Sequence, residues 1–239
     1  MTSLNRLPQY YLTSEYPCSY LEGESARSEV AVPYNLIDTE LFGKLIQTGF
    51  RRSGYLVYRP GCRLCHACIA VRIPVEKFAP NRSQMRAWKH HENLFASGMP
   101  ADFDAEHFEL YCRYQQARHP GGGMDRDDED QYAKSLLQSQ VDTTLFEFRE
   151  NGALRMVSIV DRIPDGLSSV YTFFEPDLPG SSFGTFNILW QIDLCRKLGL
   201  PYLYLGYWIE GSMKMSYKIN FSPLEGYFEG KWQTLEIRK

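Results

Sequence analysis

TTLFEFRENGALRMVSIVDRIPDGLSSVYTFF, residues 143–174, decides the fold. Two turn signals cut it into three apolar runs. Asn151-Gly152 is a dipeptide that takes positive φ at little cost and so fits a two-residue hairpin. Pro164-Asp165-Gly166 is a second turn, with proline presetting φ and glycine closing it. The runs between them, 143–149, 153–163 and 167–174, are rich in β-branched and aromatic residues. The stretch therefore reads as an antiparallel three-stranded meander.

Working outward, Glu175–Gly184 is a loop that leads into an amphipathic helix over 185–198, with Gly199 at its C-terminal stop. A buried strand over 202–207, a short helix over 212–218 and two strands around Tyr227 and Trp232 follow. Meander, glycine-bearing turn, helix and strand is the order of the GNAT acyltransferase fold. There, donor phosphates lie against the amides that open the helix, a place taken here by residues 180–185. The expected class is α+β: a GNAT-like fold over 99–239, preceded by a smaller cysteine-bearing α+β domain over 1–98.

Before the meander, Asp38 caps a predicted helix over 39–47, and Tyr55–Tyr58 and Ile69–Ile73 are strand-like runs flanking a cysteine turn. Residues 102–118 read as a helix ended by His119-Pro120-Gly121-Gly122-Gly123, and 125–140 as a second helix with an acidic start. No apolar run approaches the roughly 18 residues that span a bilayer, and the N-terminus lacks an apolar leader, so no membrane partner and a cytoplasmic location are expected. Six cysteines in such a chain then read as ligands or buried thiols rather than disulfides.

The formal charge of the whole chain is -3, yet Arg51 to Lys89 holds nine Lys or Arg against the single acid Glu76. That concentration points to an anionic partner, nucleic acid first. Inside the same segment, Cys62-x-x-Cys65-x-x-Cys68 has a spacing that suits Zn²⁺ or an iron–sulfur cluster, with Cys18 or His66 as the fourth ligand; three reduced thiols that bind nothing is the other reading. Arg51, Arg52, Tyr58 and Arg59, joined by Arg27, offer guanidinium forks for a carboxylate or phosphate. Tyr204, Tyr207, Lys214 and Lys218 suit a nucleoside stacked on a ring with lysines on phosphate, and equally an ordinary amphipathic edge. His119, beside the glycine loop, is the one histidine considered for proton transfer.

Cys18-x-Tyr20-Leu21, Ala26-Arg27-Ser28, Gly49-Phe-Arg-Arg-Ser-Gly54, the cysteine turn, Arg72-Ile-Pro-Val75, Gly199-Leu-Pro-Tyr-Leu-Tyr-Leu-Gly-Tyr-Trp-Ile209 and Lys214-Met-x-Tyr-Lys218 together resemble the bacterial aspartate/glutamate leucyltransferases, relatives of the eukaryotic arginyl-tRNA-protein transferases. The family often carries arginine where Ser181 stands, which leaves that loop only its backbone amides for phosphate. The resemblance implies transfer of leucine from leucyl-tRNA to the N-terminal amine of proteins beginning with Asp or Glu, with no cofactor required for the chemistry. An acidic first residue asks for a guanidinium, so its carboxylate is expected at Arg27, Arg51 or Arg52. The donor's adenosine and leucine are expected in the GNAT-like half, near Tyr171, Gly184, Thr185, Tyr204 and Tyr207, with Lys214 and Lys218 toward the tRNA backbone. An arginyl-tRNA-dependent transferase and an acetyl-CoA N-acetyltransferase are the alternatives.

Overall fold

The computed structural model describes residues 8–178 and 180–236; residues 1–7, part of the stretch read for an apolar leader, and Pro179 of the loop before the long helix lie outside them. In chain order the elements are β1 (Gln9–Leu12), β2 (Tyr16–Pro17), β3 (Ser25–Ala26), β4 (Ser28–Val32), α1 (Thr39–Ile46), β5 (Arg51–Ser53), β6 (Leu56–Pro60), β7 (Cys68–Pro74), α2 (Arg82–His90) and β8 (Phe95–Pro100). They continue with α3 (Ala105–Arg118), α4 (Glu129–Tyr132), β9 (Thr143–Glu150), β10 (Ala153–Ile163), β11 (Gly166–Phe174), α5 (Phe183–Leu198), β12 (Tyr202–Ile209), β13 (Glu225–Phe228) and β14 (Lys231–Thr234).

The meander forms as read, and it is part of an eight-stranded mixed sheet in the order β14-β13-β7-β12-β11-β10-β9-β8. Strand β10 shows why its residues are almost continuously apolar. Val157 and Ile159 point to one face, among Leu110, Tyr111 and Phe173, while Met156, Ser158 and Val160 point to the other, beneath α5. A strand covered on both faces has little use for polar alternation. Helix α5 buries Ile188, Leu189, Ile192 and Cys195 against Val71, Leu167 and Leu203. Each such side chain contributes about 1.5–3 kcal/mol. The class is α+β, as expected.

Two features depart from the sequence reading. The helix expected over 125–140 breaks up: a 3-10 turn, Met124–Arg126, is followed by the four residues of α4 and a π-helical turn, Ala133–Leu137. Asp125 spends its carboxylate on the amides of Gly121 and Gly123 instead of capping a helix, and Asp128 takes the capping role. The short helix expected over 212–218 is a 3-10 turn at Ser216–Asn220. The boundary expected at 98/99 falls within β8, and β7, from the N-terminal segment, is an interior strand of the large sheet.

A second sheet, β1-β4-β6-β5, is tied to the first at β5. Arg52 is 2% exposed and grips Asp161, 0% exposed, through Nε at 2.7 Å and a terminal N–H at 2.5 Å. The same guanidinium donates to Thr143 Oγ1 at 3.0 Å. Next to it, Gly54 has φ +57 and lies so close to the 133–137 turn that a Cβ would stand 1.9 Å from the Lys134 carbonyl oxygen. Gly54→Ala is therefore expected to lower stability by more than about 1 kcal/mol, since both the backbone angle and the space refuse it; an unchanged urea midpoint would contradict this packing.

Candidate active site

Strands β11 and β12 are parallel neighbours, paired only at Gly166↔Tyr202, Leu167↔Leu203 and Ser168↔Tyr204. Beyond those pairs both strands continue, β11 to Phe174 and β12 to Ile209, without pairing to each other. Irregularities sit on both sides of the split. The β10–β11 register shifts beside Val170, and the β12–β7 register shifts between Tyr204 and Tyr207, where Gly206 has φ +71. Parallel strands that part at a bulge leave a slot lined by main-chain groups.

Arg51 fills the slot. It leaves β5, lies against Gly206 so closely that a Cβ there would stand 3.2 Å from a terminal nitrogen, and reaches the Val170 carbonyl at 3.5 Å. Its Nε is sealed from solvent and has no hydrogen-bond partner. Among the described residues it makes no ion pair, and the groups that act on its charge are phenols: Tyr58, Tyr20, Tyr207 and Tyr217. Burial opposes that charge, yet the phenols outweigh it and the guanidinium pKa is raised. Tyr171 also feels Arg51, and its hydroxyl is fixed by Gln115 Nε2 at 2.7 Å.

Beneath this cation lies a second. Lys218 is 3% exposed and donates to the Tyr207 carbonyl at 2.5 Å. Burial, with the Arg51 charge as a second cause, brings its pKa down to about 7 from an ordinary 10.5. The unfolded chain binds this proton up to pH 10.5 and the folded chain only to about 7. Lys218 therefore adds stability as pH rises through that window and imposes its full penalty below it. In Lys218→Met this increment is expected to vanish, so the stability difference between wild type and variant changes across pH 7 to 10, read by denaturant unfolding; a difference flat in pH would contradict the buried amine.

Beside the slot lies a cleft of about 1070 Å³, whose walls include Cys18, Tyr20, Arg27, Tyr58, Arg59, Cys62, Cys65, Cys68 and Tyr207; Arg51 itself lines a small cavity of about 10 Å³ that shares Ala70 and Tyr207 with this cleft. Tyr207 is held by donating its hydroxyl to the carbonyls of Gly49, at 2.9 Å, and Tyr58, at 3.2 Å. Arg59 stands at the rim on Glu29, at 2.6 Å, and Arg27 donates to the Thr13 carbonyl at 3.1 Å. On the far side of the slot, Tyr114 packs edge-on to His119 at 5.5 Å between ring centres, and Tyr217 acts on Tyr114. Burial lowers the His119 pKa, and the neighbouring Lys214 and Arg118 lower it further, so its ring is neutral near pH 7.

The structure thus brings Arg51, Tyr58, Tyr171, Tyr207 and Lys218 to one slot and sets His119 and Lys214 beside each other at its border. Arg52 and Tyr204 border the same small cavity, but their polar groups are committed elsewhere: the Arg52 fork to Asp161, and the hydroxyl of Tyr204, which is 2% exposed, between Arg72 and Asp165. Lys218 is under Arg51 rather than on a surface that phosphate can reach. Gly184 and Thr185 lie in the first turn of α5, beyond Phe174 and Phe183. Tyr114 was not singled out from sequence, and Tyr20 and Gly206 entered only within the motifs that carry the resemblance. Of these, only Gly206 carried a signal, an isolated glycine within a strand run, which marks a bulge or a close approach.

Burial and the three neighbouring thiols of Cys18, Cys62 and Cys65 push Cys68 up to about 12. The fourth member of the cluster is therefore Cys18, while His66 is exposed. Four sulfurs are a donor set that suits Zn²⁺ or an iron–sulfur cluster. In this geometry the set does not close: among the described residues, no three His, Cys, Asp or Glu form a group that could hold a metal ion. No helix among these residues is long and apolar enough to cross a membrane.

The family model "Arginine-tRNA-protein transferase, C terminus" matches residues 106–228, and its N-terminal counterpart matches residues 16–86. An aspartate/glutamate leucyltransferase of Nitrosospira multiformis is 57% identical over 240 residues, 99% of this chain and 96% of that one. Its namesake in Thiobacillus denitrificans is 53% identical over 228 residues, 95% of each chain. Among solved structures, L-PGS from Bacillus licheniformis has a TM-score of 0.51 at 10% identity, over 69% of this chain and 59% of that one, a likeness of fold alone.

Proposed function

Because the chain belongs to the aspartate/glutamate leucyltransferases, within the arginine-tRNA-protein transferase family, we propose that the slot between β11 and β12 is where leucine passes from leucyl-tRNA to the α-amine of a protein beginning with Asp or Glu. This transfer marks the acceptor for degradation under the N-end rule. One observation carries the siting: Arg51, a guanidinium with no carboxylate partner among the described residues, is held where the two strands part. An acidic first residue supplies the missing anion, and Lys218 below it adds a second positive charge when protonated. Charge-assisted pairing at a planar fork is the interaction that separates Asp and Glu from neutral residues.

With the side chain fixed there, the α-amine lies between Arg51 and the His119 border, where the leucyl ester meets it. The amine nitrogen bonds to the ester carbonyl carbon, the C–O bond to the ribose breaks, and the departing oxygen takes up a proton. The ester is already activated, so holding the two groups together supplies much of the rate. An α-amine has a pKa of about 8, so a weak base such as a neutral imidazole suffices. We assign that role to His119 and place Lys214 and Arg118 on the donor's phosphates.

The parted parallel strands, the bulge and α5 between them support a GNAT-like reading of the transfer half. The four thiols are read as a structural donor set for Zn²⁺ or an iron–sulfur cluster, and no step of the transfer passes through it. Aminoacyl-tRNA as donor places the reaction in the cytoplasm.

The test is transfer of radiolabelled leucine from leucyl-tRNA to peptides beginning with Asp, Glu, Lys or Ala, with arginyl-tRNA and acetyl-CoA run in parallel. Label on the Asp and Glu peptides alone, from leucyl-tRNA alone, is the expected result. Acetyl transfer with no use of either tRNA would overturn the reading.

A further inference from the structure

Helix α2 carries charge that the rest of the described protein does not use. Its buried side is Gln84 and Ala87, with Trp88 packed on Phe186 of α5 at 5.5 Å between ring centres. Arg82, Arg86 and Lys89 stand at i, i+4 and i+7, one stripe of a helix, and all three are exposed. Among the described residues none of them enters an ion pair, although the whole chain is net acidic at -3. Like charges four apart weaken a helix by a few tenths of a kcal/mol. Here the Asn81–Gln84 capping box holds the helix in spite of them.

The stripe also has a direction. At its start, Arg196 of α5 donates to the carbonyls of Val75, at 3.1 Å, and Phe78, at 2.6 Å, bringing another cation close to Lys77. At its end, the His91 ring bonds the Ser181 carbonyl and stacks on Phe183 at 4.4 Å between centres. Phe183 meets Phe174 at 5.6 Å, and the Arg118 guanidinium stands over Phe174 at 5.7 Å. The stripe therefore arrives at the first turn of α5, and Arg118, His119 and Lys214 continue from the other side of that turn toward the slot.

We propose that the exposed face of α2, through Arg82, Arg86 and Lys89, is the surface on which the phosphodiester backbone of the donor tRNA lies outside its aminoacylated 3′ end. This rests on the reading of aminoacyl-tRNA as donor. The helix positions the tRNA body and takes no part in the chemistry, so its contribution is electrostatic and blind to base sequence.

The test compares wild type with the triple variant Arg82→Ala/Arg86→Ala/Lys89→Ala on two donors, intact leucyl-tRNA and a leucyl ester of the CCA trinucleotide. For intact leucyl-tRNA, KM is expected to rise on the order of ten- to a hundredfold, and the log–log salt slope to fall by about 2, since each lost phosphate contact removes about 0.7–0.9. KM for the trinucleotide donor and for the acceptor peptide stays as in wild type, and Arg82→Lys/Arg86→Lys keeps the slope. An unchanged KM and slope on leucyl-tRNA, or an equal loss on both donors, would overturn the proposal. Binding of uncharged tRNA, read by fluorescence anisotropy, separates this from the transfer reading. Unchanged affinity in the triple variant overturns the stripe whatever acyl group the enzyme moves. Weakened affinity supports the stripe, even beside a wild type that transfers no leucine, a result that would overturn the transfer reading alone.

Discussion

Arg51→Met is expected to lower kcat/KM for peptides beginning with Asp or Glu by roughly 10²–10³-fold, with KM for leucyl-tRNA unchanged. Removing one partner of a buried, hydrogen-bonded charge pair costs about 2–5 kcal/mol, and each 1.4 kcal/mol is a factor of ten. The middle of that range, about 3–4 kcal/mol, applies: Arg51 Nε is sealed from solvent and its neighbours are the phenols of Tyr20, Tyr58 and Tyr207. Arg51→Lys restores the charge without the planar fork, so partial recovery is expected. Initial rates against peptide concentration at saturating leucyl-tRNA decide it. A variant whose loss falls on the tRNA instead would move the acceptor site elsewhere.

Arg52→Ala gives the other large effect, of a different kind. Asp161 is 0% exposed, and its carboxylate is held by Arg52 and by the Thr143 hydroxyl at 2.8 Å. Losing the guanidinium leaves a buried charge uncompensated, which costs about 3–5 kcal/mol. In a chain of this size that lowers Tm by roughly 10 °C. The folded fraction is expected to keep its preference for Asp and Glu over other first residues, since the Arg52 fork is committed to Asp161. Thermal unfolding together with the peptide panel separates the two arginines: one governs selectivity, the other holds the small sheet to the large one.

Adjacent in sequence, Arg51 and Arg52 show where reading the chain succeeds and where it stops. Both were legible as candidates because guanidinium recognises carboxylate, but strand alternation sends their side chains to opposite faces of β5. Which face holds Asp161 and which holds the slot depends on a sheet pairing more than a hundred residues away. The meander, α1 with its Asp38 cap, and α5 with Gly199 at its end were readable because turn chemistry and periodicity are local. The burial of Lys218 and Tyr204 was not, since an aromatic and lysine mixture is the same composition whether it faces water or a neighbouring strand. The helix expected over 125–140 failed for a local reason that composition hides: Asp125 has a closer use for its carboxylate in the glycine loop. The cysteine turn was legible as a cluster, while the nearness of Cys18 to it depends on the β2–β3 pair that carries Cys18.

The measurement that bears most directly on the slot is a two-by-two comparison of kcat/KM: wild type and Arg51→Met, each with peptides identical except for Asp or Asn at the first position. In wild type the Asp peptide should exceed its Asn isostere by two orders of magnitude or more, on the order of a buried charge pair. In the variant the ratio should collapse toward one, because the group that distinguishes the two is gone. A variant that loses activity yet keeps the wild-type ratio would show that another cation reads the acceptor, and would contradict the assignment of Arg51.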